Sequence, residues 1–470
     1  MKVKETIAGE EMLQGREKTS EILPESLNRK HIRSKVISLS LPALLNMFLI
    51  SFVGIADMIM VGRLGPSAIS AVGMVNQPNF LVISVFMALT VGTTALVARF
   101  VGARDIQTAR SVAKQSLVVS IFFGIGISLF LYIFAPYIEK GMGAEPDVLV
   151  LGITYMRIIA MGMPFNVLSM IIGAILRGSG DMKTPLLADT VANLTNVIGN
   201  YILIFGKLGA PALGVAGAGI ATSISRFISM SILLYVLYNG RTIVKLSLKD
   251  SYRLDGNIIR RVLSIGVPSA LEQFVLRSGQ LAFVRIIAEL GTVTFATHQI
   301  AMNIQSLSFM PGQAFSMAAT TLVGQLLGAK RPEIAEESAR QTRLIGMMVA
   351  GVTAFIIFFF GRYLVMLYTS DSSIIEQART CLRIIAAIQP AQSTQFILAG
   401  ALRGAGDTRF PLYSTMIGMW GMRVALSYLF VLVFNWGLTG AWLAIAFDQV
   451  MRAIVIYSRF NSGKWKWMKV

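Results

Sequence analysis

The feature that most constrains this chain is an internal repeat. Residues 176–186, LRGSGDMKTPL, recur at 402–412 as LRGAGDTRFPL, 226 positions further on. The same offset links Pro42 to Pro268, Gly65 to Gly291, Gly102-Ala103 to Gly328-Ala329, and Pro164 to Pro390. It also links Arg157-Ile158-Ile159-Ala160 to Arg383-Ile384-Ile385-Ala386. One offset held across most of the chain, without large gaps, indicates two homologous halves. In a membrane protein, paired halves suggest rocking around a central site.

The chain is 54% hydrophobic and 14% charged, with mean hydropathy +0.66. A soluble chain carries nearer a quarter of charged residues. One cysteine, Cys381, excludes a disulfide framework. With only two histidines beside it, a zinc or iron–sulfur centre is not expected. The net charge of +18 does not point to nucleic acid, because the charges punctuate apolar runs instead of forming one basic patch. Gly178-Ser179-Gly180-Asp181-Met182-Lys183-Thr184 resembles a phosphate loop only faintly. It lacks a glycine before the lysine and follows no strand, and its second copy has Arg409-Phe410 there. No catalytic constellation is present, no cofactor is expected, and uphill transport has to draw on an ion gradient.

Apolar runs of the length that crosses about 30 Å of hydrocarbon predict helices near 36–62, 72–100, 112–135, 148–176, 184–206 and 214–238. The second set falls near 258–290, 298–327, 340–361, 374–402, 410–434 and 437–458. The expected fold is an all-α membrane protein with twelve transmembrane helices in two pseudo-symmetric six-helix lobes. A polar tail (1–35) precedes the first lobe (36–240), a charged linker (241–257) joins it to the second (258–460), and a basic tail (461–470) closes the chain. The runs are too long for a β-barrel and lack period-two alternation. With the N-terminus in the cytoplasm, the tails and even-numbered connections, counted with the adjoining helix ends, hold about 30 of the 42 Lys and Arg. The odd-numbered connections hold only Arg63, Lys140, Lys207 and Arg362. Both termini are therefore expected inside, with KWKWMK as an interfacial anchor. Because each half has an even number of helices, the halves share one orientation.

Intramembrane carboxylates are the informative residues, since a charge at the bilayer centre costs at least about 2.5 kcal/mol. Asp57, in Ile55-Ala56-Asp57-Met58-Ile59-Met60, has no basic residue within a turn and is the leading ion-coupling candidate. Desolvation favours the protonated form of such a group. Asn193, Asn196 and Asn200 follow on helix 5. Asn196 and Asn200 share a face, and amides beside a carboxylate can pass on its protonation state. Glu272, after Pro268 on helix 7, is the second coupling candidate, and Gln273 adjoins it. Arg285 and Glu289, like Asp448 and Arg452, are i, i+4 pairs expected to neutralise each other. His298 and Asn303 on helix 8, with Gln389 and Gln392 on helix 10, are candidates for lining a substrate cavity, as are Asn193 and Gln273. Arg157 and Arg383, equivalent in the two halves, suggest a structural role repeated in each.

These residues carry a family resemblance. Asp57-Met-Ile-Met-Val-Gly-Arg-Leu-Gly65, Ala296-Thr-His-Gln-Ile-Ala-Met-Asn303 and the LRGSGD/LRGAGD pair make the chain similar to the multidrug and toxic compound extrusion (MATE) transporters of the NorM/DinF type, over about 36–460. The resemblance implies two six-helix lobes around a cavity. It further implies antiport of amphipathic, often cationic, drugs or metabolites against protons or sodium. Asp57 matches the family's helix 1 aspartate and Asn196 its helix 5 asparagine. Asn200 stands where several members have an aspartate. Leu276 and Gln392 stand where sodium-driven members have a helix 7 glutamate and a helix 10 aspartate. These departures favour protons over sodium as the coupling ion.

Three functions compete on sequence. An ion-coupled efflux antiporter leads, with sodium as the alternative driving ion. A lipid-linked precursor flippase would be expected to carry a more basic central cavity. A channel or receptor needs neither a buried Asp57 nor duplicated halves. The expected partners are small-molecule drugs or metabolites and the lipid bilayer, not nucleic acid. The two-lobe design is expected to work as a monomer in a prokaryotic inner membrane.

Overall fold

The computed structural model describes residues 28–240, 242–247 and 253–468. They form twelve long helices and no strand among the described residues. The first half contains α1 (Arg29–Gly62), α2 (Pro66–Gly102), α3 (Ile106–Gly141), α4 (Pro146–Gly178), α5 (Lys183–Phe205) and α6 (Gly214–Tyr238). The second contains α7 (Gly256–Ala288), α8 (Thr292–Gly328), α9 (Pro332–Met366), α10 (Ser372–Gly404), α11 (Arg409–Val433) and α12 (Gly437–Asn461). Each lies within a few residues of its expected apolar run, except where a helix continues past the apolar stretch. Thus α1 begins at Arg29 and α9 at Pro332, because polar residues at a helix end keep their backbone hydrogen bonds while their side chains reach water. Of the expected tails and linker, residues 1–27, 241, 248–252 and 469–470 lie outside the described residues.

Eight helices are long and apolar enough to cross a membrane. The other four, α5, α7, α8 and α10, hold most of the candidate polar residues. Exposed phenylalanines such as Phe122, Phe123 and Phe130 on α3, and Phe355, Phe359 and Phe360 on α9, give those helices an outer face suited to hydrocarbon.

The repeat is visible down to single contacts. Gly65 and Gly291 cap α2 and α8 at φ 109° and 93°. Arg104 and Lys330 hold the left-handed turn after those helices, at φ 59° and 57°. Thr94 donates to the carbonyl of Ala174 and Thr320 to that of Gly400. Beside those threonines, Gly178 and Gly404 lie so close to the Thr94 and Thr320 carbonyls that an added Cβ would collide with them. Small residues let the paired helices approach this closely. Arg157 lies over the Tyr132 ring and Arg383 over the Phe358 ring, each 5.3 Å from the centroid, and those aromatics are themselves 226 apart.

The described helices divide into two compact units. One spans Leu45–Gly266; the other joins 28–44 to 267–468. The division falls inside α1 and α7, near Pro42 and Pro268, instead of in the linker. Equivalent glutamines hold the two incoming helix ends. Within the first unit, Gln115 donates to the Arg253 carbonyl at 2.7 Å and accepts from the Asp255 N–H at 3.1 Å. Within the second, Arg33 donates to Gln341 at 2.7 Å.

In the first unit α4 packs on α2, α3 and α6; in the second α10 packs on α8, α9 and α12. The first core includes Val61, Val75, Met156 and Ile204. The second gathers Phe283, Ile385 and Trp442. Of the expected KWKWMK anchor, Trp465 is buried and stacked on Phe460, to whose carbonyl its Nε1 donates, while Trp467 is exposed.

Candidate functional site

In the first unit, Asp57 on α1 meets the amide ladder of α5. Asn200 Nδ2 donates to Asp57 Oδ1 at 2.6 Å and approaches Asn196 Oδ1 at 3.4 Å. Asn196 Nδ2 then donates to Thr222 Oγ1 on α6 at 3.2 Å. Helical periodicity sets this geometry: Asn196 and Asn200 are one turn apart on the face that α5 turns inward, and both are buried. The result is a hydrogen-bonded chain across three helices, Asp57–Asn200–Asn196–Thr222. Asn200 Oδ1 is buried and accepts no hydrogen bond among the described residues. Asn193, one turn before Asn196, is buried with its Nδ2 likewise without an acceptor among the described residues.

Thr222 also lines a cavity of about 170 Å³ within the same unit. Its polar wall is made by Asn76 and Asn79 of α2, Asn166 of α4, and Thr222, Ser223 and Arg226 of α6. Its apolar wall is Phe80, Ile83, Ile159 and Met163, with Tyr155 beside them. Arg226 and Tyr155 are both within electrostatic reach of Asp57. None of the sequence candidates lines this cavity, although Asn196 touches one of its walls through Thr222. Arg226 is the only charged residue of α6. The reasoning that singled out Asp57, an ionisable side chain inside an apolar run, applies equally to it. The asparagines of α2 and α4 have no comparable signal, because isolated amides are common in long helices.

The remaining candidates belong to the second unit. The sequence holds no cation within a helical turn of Glu272; the fold supplies one from 131 residues away. Arg403 of LRGAGD donates to both Glu272 oxygens at 2.8 and 2.9 Å, and Thr415 adds a bond at 3.2 Å. The equivalent positions in the first unit are Arg177, Asn46 and Asp189. Asn46 Nδ2 donates to Asp189 Oδ2 at 2.8 Å, and Arg177 is attracted to Asp189. Each LRG arginine thus faces a carboxylate, but the acid sits on α5 in the first unit and on α7 in the second.

Asp57 has no acidic counterpart, since its equivalent is Phe283. Thr222 and Arg226 correspond to Asp448 and Arg452. Asp448 pairs with Arg452 as the spacing suggests, and also with Arg423 at 2.6 Å. Gly418 leaves the space this cluster fills, and Arg423 lies in a π-helical stretch of α11, Ile417–Val424. His298 is buried edge-on between the rings of Phe283 and Trp442. Gln389 donates to Ser308 at 2.7 Å. Both amide atoms of Gln392 are buried without a hydrogen-bond partner among the described residues. Gln273 is half-buried and Asn303 exposed.

Comparison with known proteins agrees with this architecture. The MatE family model matches twice, over residues 42–202 and 268–429. The chain is 32% identical to a probable multidrug resistance protein NorM of Thermotoga maritima, over 93% of each chain. It is 31% identical to the uncharacterized transporter YisQ of Bacillus subtilis, over 92% of this chain and 94% of that one. Among solved structures, an outward-facing multidrug resistance MATE family transporter of the MOP superfamily matches with TM-score 0.85 and 26% identity, over 92% of this chain and 97% of that one. A MOP superfamily transporter from Pyrococcus furiosus, described as having a binding pocket of reversed polarity, matches equally well, with TM-score 0.85, 26% identity and the same coverage. Two family matches that follow the 226-residue repeat, together with full-length relatives, place this chain in the MatE family of multidrug and toxic compound extrusion transporters.

Proposed function

We propose that the protein is a proton-coupled efflux antiporter in which Asp57 exchanges the proton and the cavity of the first unit receives substrate. The observation that carries this reading is the chain from Asp57 through Asn200 and Asn196 to Thr222 at the cavity wall. An amide presents a donor on one side and an acceptor on the other. Ionised Asp57 accepts from Asn200 Nδ2. Protonated Asp57 becomes a donor, and Asn200 Oδ1 is the acceptor left unused. Turning that amide breaks the contact with Asn196 and changes what Thr222 presents to the cavity. Proton uptake and substrate release are then two ends of one hydrogen-bond network, as alternating exchange requires. One carboxylate is sufficient for a proton.

Sodium is the second reading, favoured by the oxygens of Asp57, Asn196 and Thr222 lying along one network. In the second unit, Leu276 and Gln392 occupy the places of acidic ligands, and Glu272 is already engaged by Arg403. Membrane insertion follows from the family and the apolar helices; the inner membrane, cytoplasmic termini and monomeric action belong to the proposal. The test is uphill export of a fluorescent substrate from proteoliposomes driven by a pH gradient alone, then by a sodium gradient alone. Export is expected under the pH gradient, to survive replacement of sodium by choline, and to be lost in Asp57→Asn with the protein still monodisperse. Export that needs sodium and ignores a protonophore at fixed membrane potential sinks the proton reading. Wild-type uphill rates in Asp57→Asn sink the assignment of Asp57.

A further inference from the structure

Arg226 is the unusual member of the cavity. It is the single charged side chain of an otherwise apolar and small-residue helix, Gly214–Tyr238. It is half-buried and lines the cavity. Its guanidinium makes no hydrogen bond or ion pair with the described residues; Asp57 attracts it only at longer range, and its backbone carbonyl accepts from Ser169 at 3.4 Å. By contrast, Arg403, Arg423 and Arg452 each close on a carboxylate at 2.6–2.8 Å. The repeat sharpens the point. Arg452 is the equivalent of Arg226, and its counter-charge Asp448 stands where the first unit has Thr222. The first unit therefore keeps the arginine and replaces its neutralising acid with a hydroxyl. A guanidinium at membrane depth is costly unless something answers its charge, and its planar fork suits carboxylate or phosphate oxygens.

We propose that the cavity is a subsite for an anionic group, a carboxylate, sulfonate or phosphate carried by an amphipathic solute, with Arg226 as the residue that selects it. The reading rests on the cavity being the substrate site. The neighbouring amides of Asn79 and Asn166 add hydrogen bonds, and Phe80 and Met163 receive the first apolar ring. At about 170 Å³ the space takes the charged end of a ligand and not a whole drug, whose pockets run to at least about 300 Å³. A zwitterion answers Arg226 with its anion while its cationic group stays at the cavity mouth, since Asp57 is not part of the cavity lining. Substrates chosen this way carry an anionic group that the amphipathic, often cationic compounds implied by the family resemblance need not have.

The experiment compares a rhodamine free acid, a zwitterion, with its methyl ester, a cation of the same shape. Binding to the purified full-length protein is measured by fluorescence polarisation, and export by proteoliposomes. Wild type is expected to bind the acid more tightly than the ester. Arg226→Gln is expected to weaken the acid about tenfold, the scale of one charge-assisted contact, with the ester changed less than about twofold. Arg226→Lys is expected to retain most of the preference. Equal or tighter binding of the ester to wild type overturns the subsite, as does an Arg226→Gln loss shared equally by both dyes. Should Arg226→Gln fail to fold, the wild-type acid-to-ester ratio decides. An acid preference that phosphatidylglycerol abolishes in nanodiscs, but phosphatidylcholine does not, overturns the solute in favour of a lipid headgroup. Equal binding with both dyes exported removes the subsite and leaves efflux standing. Acid-selective binding with neither dye exported keeps the subsite and removes the efflux reading.

Discussion

At the scale of single residues, Thr222 joins the proposed proton site to the proposed substrate site. Its hydroxyl accepts from Asn196 and its side chain lines the cavity. Valine has nearly the same shape but no hydroxyl, so Thr222→Val cuts the link while leaving the Asp57–Asn200 bond in place. A lost hydrogen bond of this type is worth about 1 kcal/mol, a factor of several in an equilibrium constant. Thr222→Val is expected to lower pH-driven export several-fold while dye affinity falls less, and Thr222→Ser to restore export. Wild-type export by Thr222→Val, measured in the same proteoliposomes, would show that the network does not carry the coupling. The physical reason for placing this role on a threonine is that its partner is a neutral amide, so the link transmits orientation without adding a second charge to the membrane interior.

At the scale of elements, the α1–α5 seam and the α7–α11 seam are the same construction with different chemistry. Asn46–Asp189 and Glu272–Thr415 are both pairs 143 residues apart, and they occupy equivalent positions. The carboxylate that faces the LRG arginine has moved from one side of the seam to the other. Glu272 therefore reads as the counter-charge that positions Arg403. Removing one member of a buried ion pair costs about 3 kcal/mol or more, less here because the Arg403 side chain is 19% exposed. Glu272→Gln is expected to lower the melting temperature by several degrees while the pH midpoint of transport stays in place. Glu272→Asn combined with Thr415→Asp rebuilds the first unit's arrangement and is expected to recover most of the lost stability. A shifted pH midpoint in Glu272→Gln, or no recovery in the double variant, would return Glu272 to the list of ion-coupling groups.

At the scale of the whole molecule, the two units are alike in backbone and unlike in charge. The first holds Asp57 and an open arginine; the second has Phe283 in place of Asp57 and closes its arginine on Asp448. Under the proposed function, ion exchange therefore belongs to the first unit. The distribution of Lys and Arg predicts that both ends of the chain face the cytoplasm. Cys381 is buried, so single introduced cysteines report topology cleanly. Ser462→Cys is expected to react with a membrane-impermeant maleimide only from the cytoplasmic side, and Leu208→Cys, 87% exposed between α5 and α6, only from outside. Labelling from the reverse sides would invert the orientation.

The sequence by itself determined the helix count and the doubling, and it marked Asp57 as a candidate, because each is local or periodic. Apolar run length measures a membrane span, a fixed offset measures a duplication, and an aspartate within an apolar run is conspicuous wherever it lands. The face shared by Asn196 and Asn200 was equally legible, since helical spacing alone puts them together. What only the tertiary structure decided is which charges meet. Arg403 and Glu272 are 131 residues apart, Asn200 and Asp57 are 143 apart, and no spacing rule connects such pairs. The sequence likewise shows Arg226 as a lone charge in an apolar run; only packing shows that its equivalent is neutralised and that it opens on a cavity. Charge compensation inside a membrane depends on distances of a few ångströms between helices remote in sequence, and those distances exist only once the helices have packed.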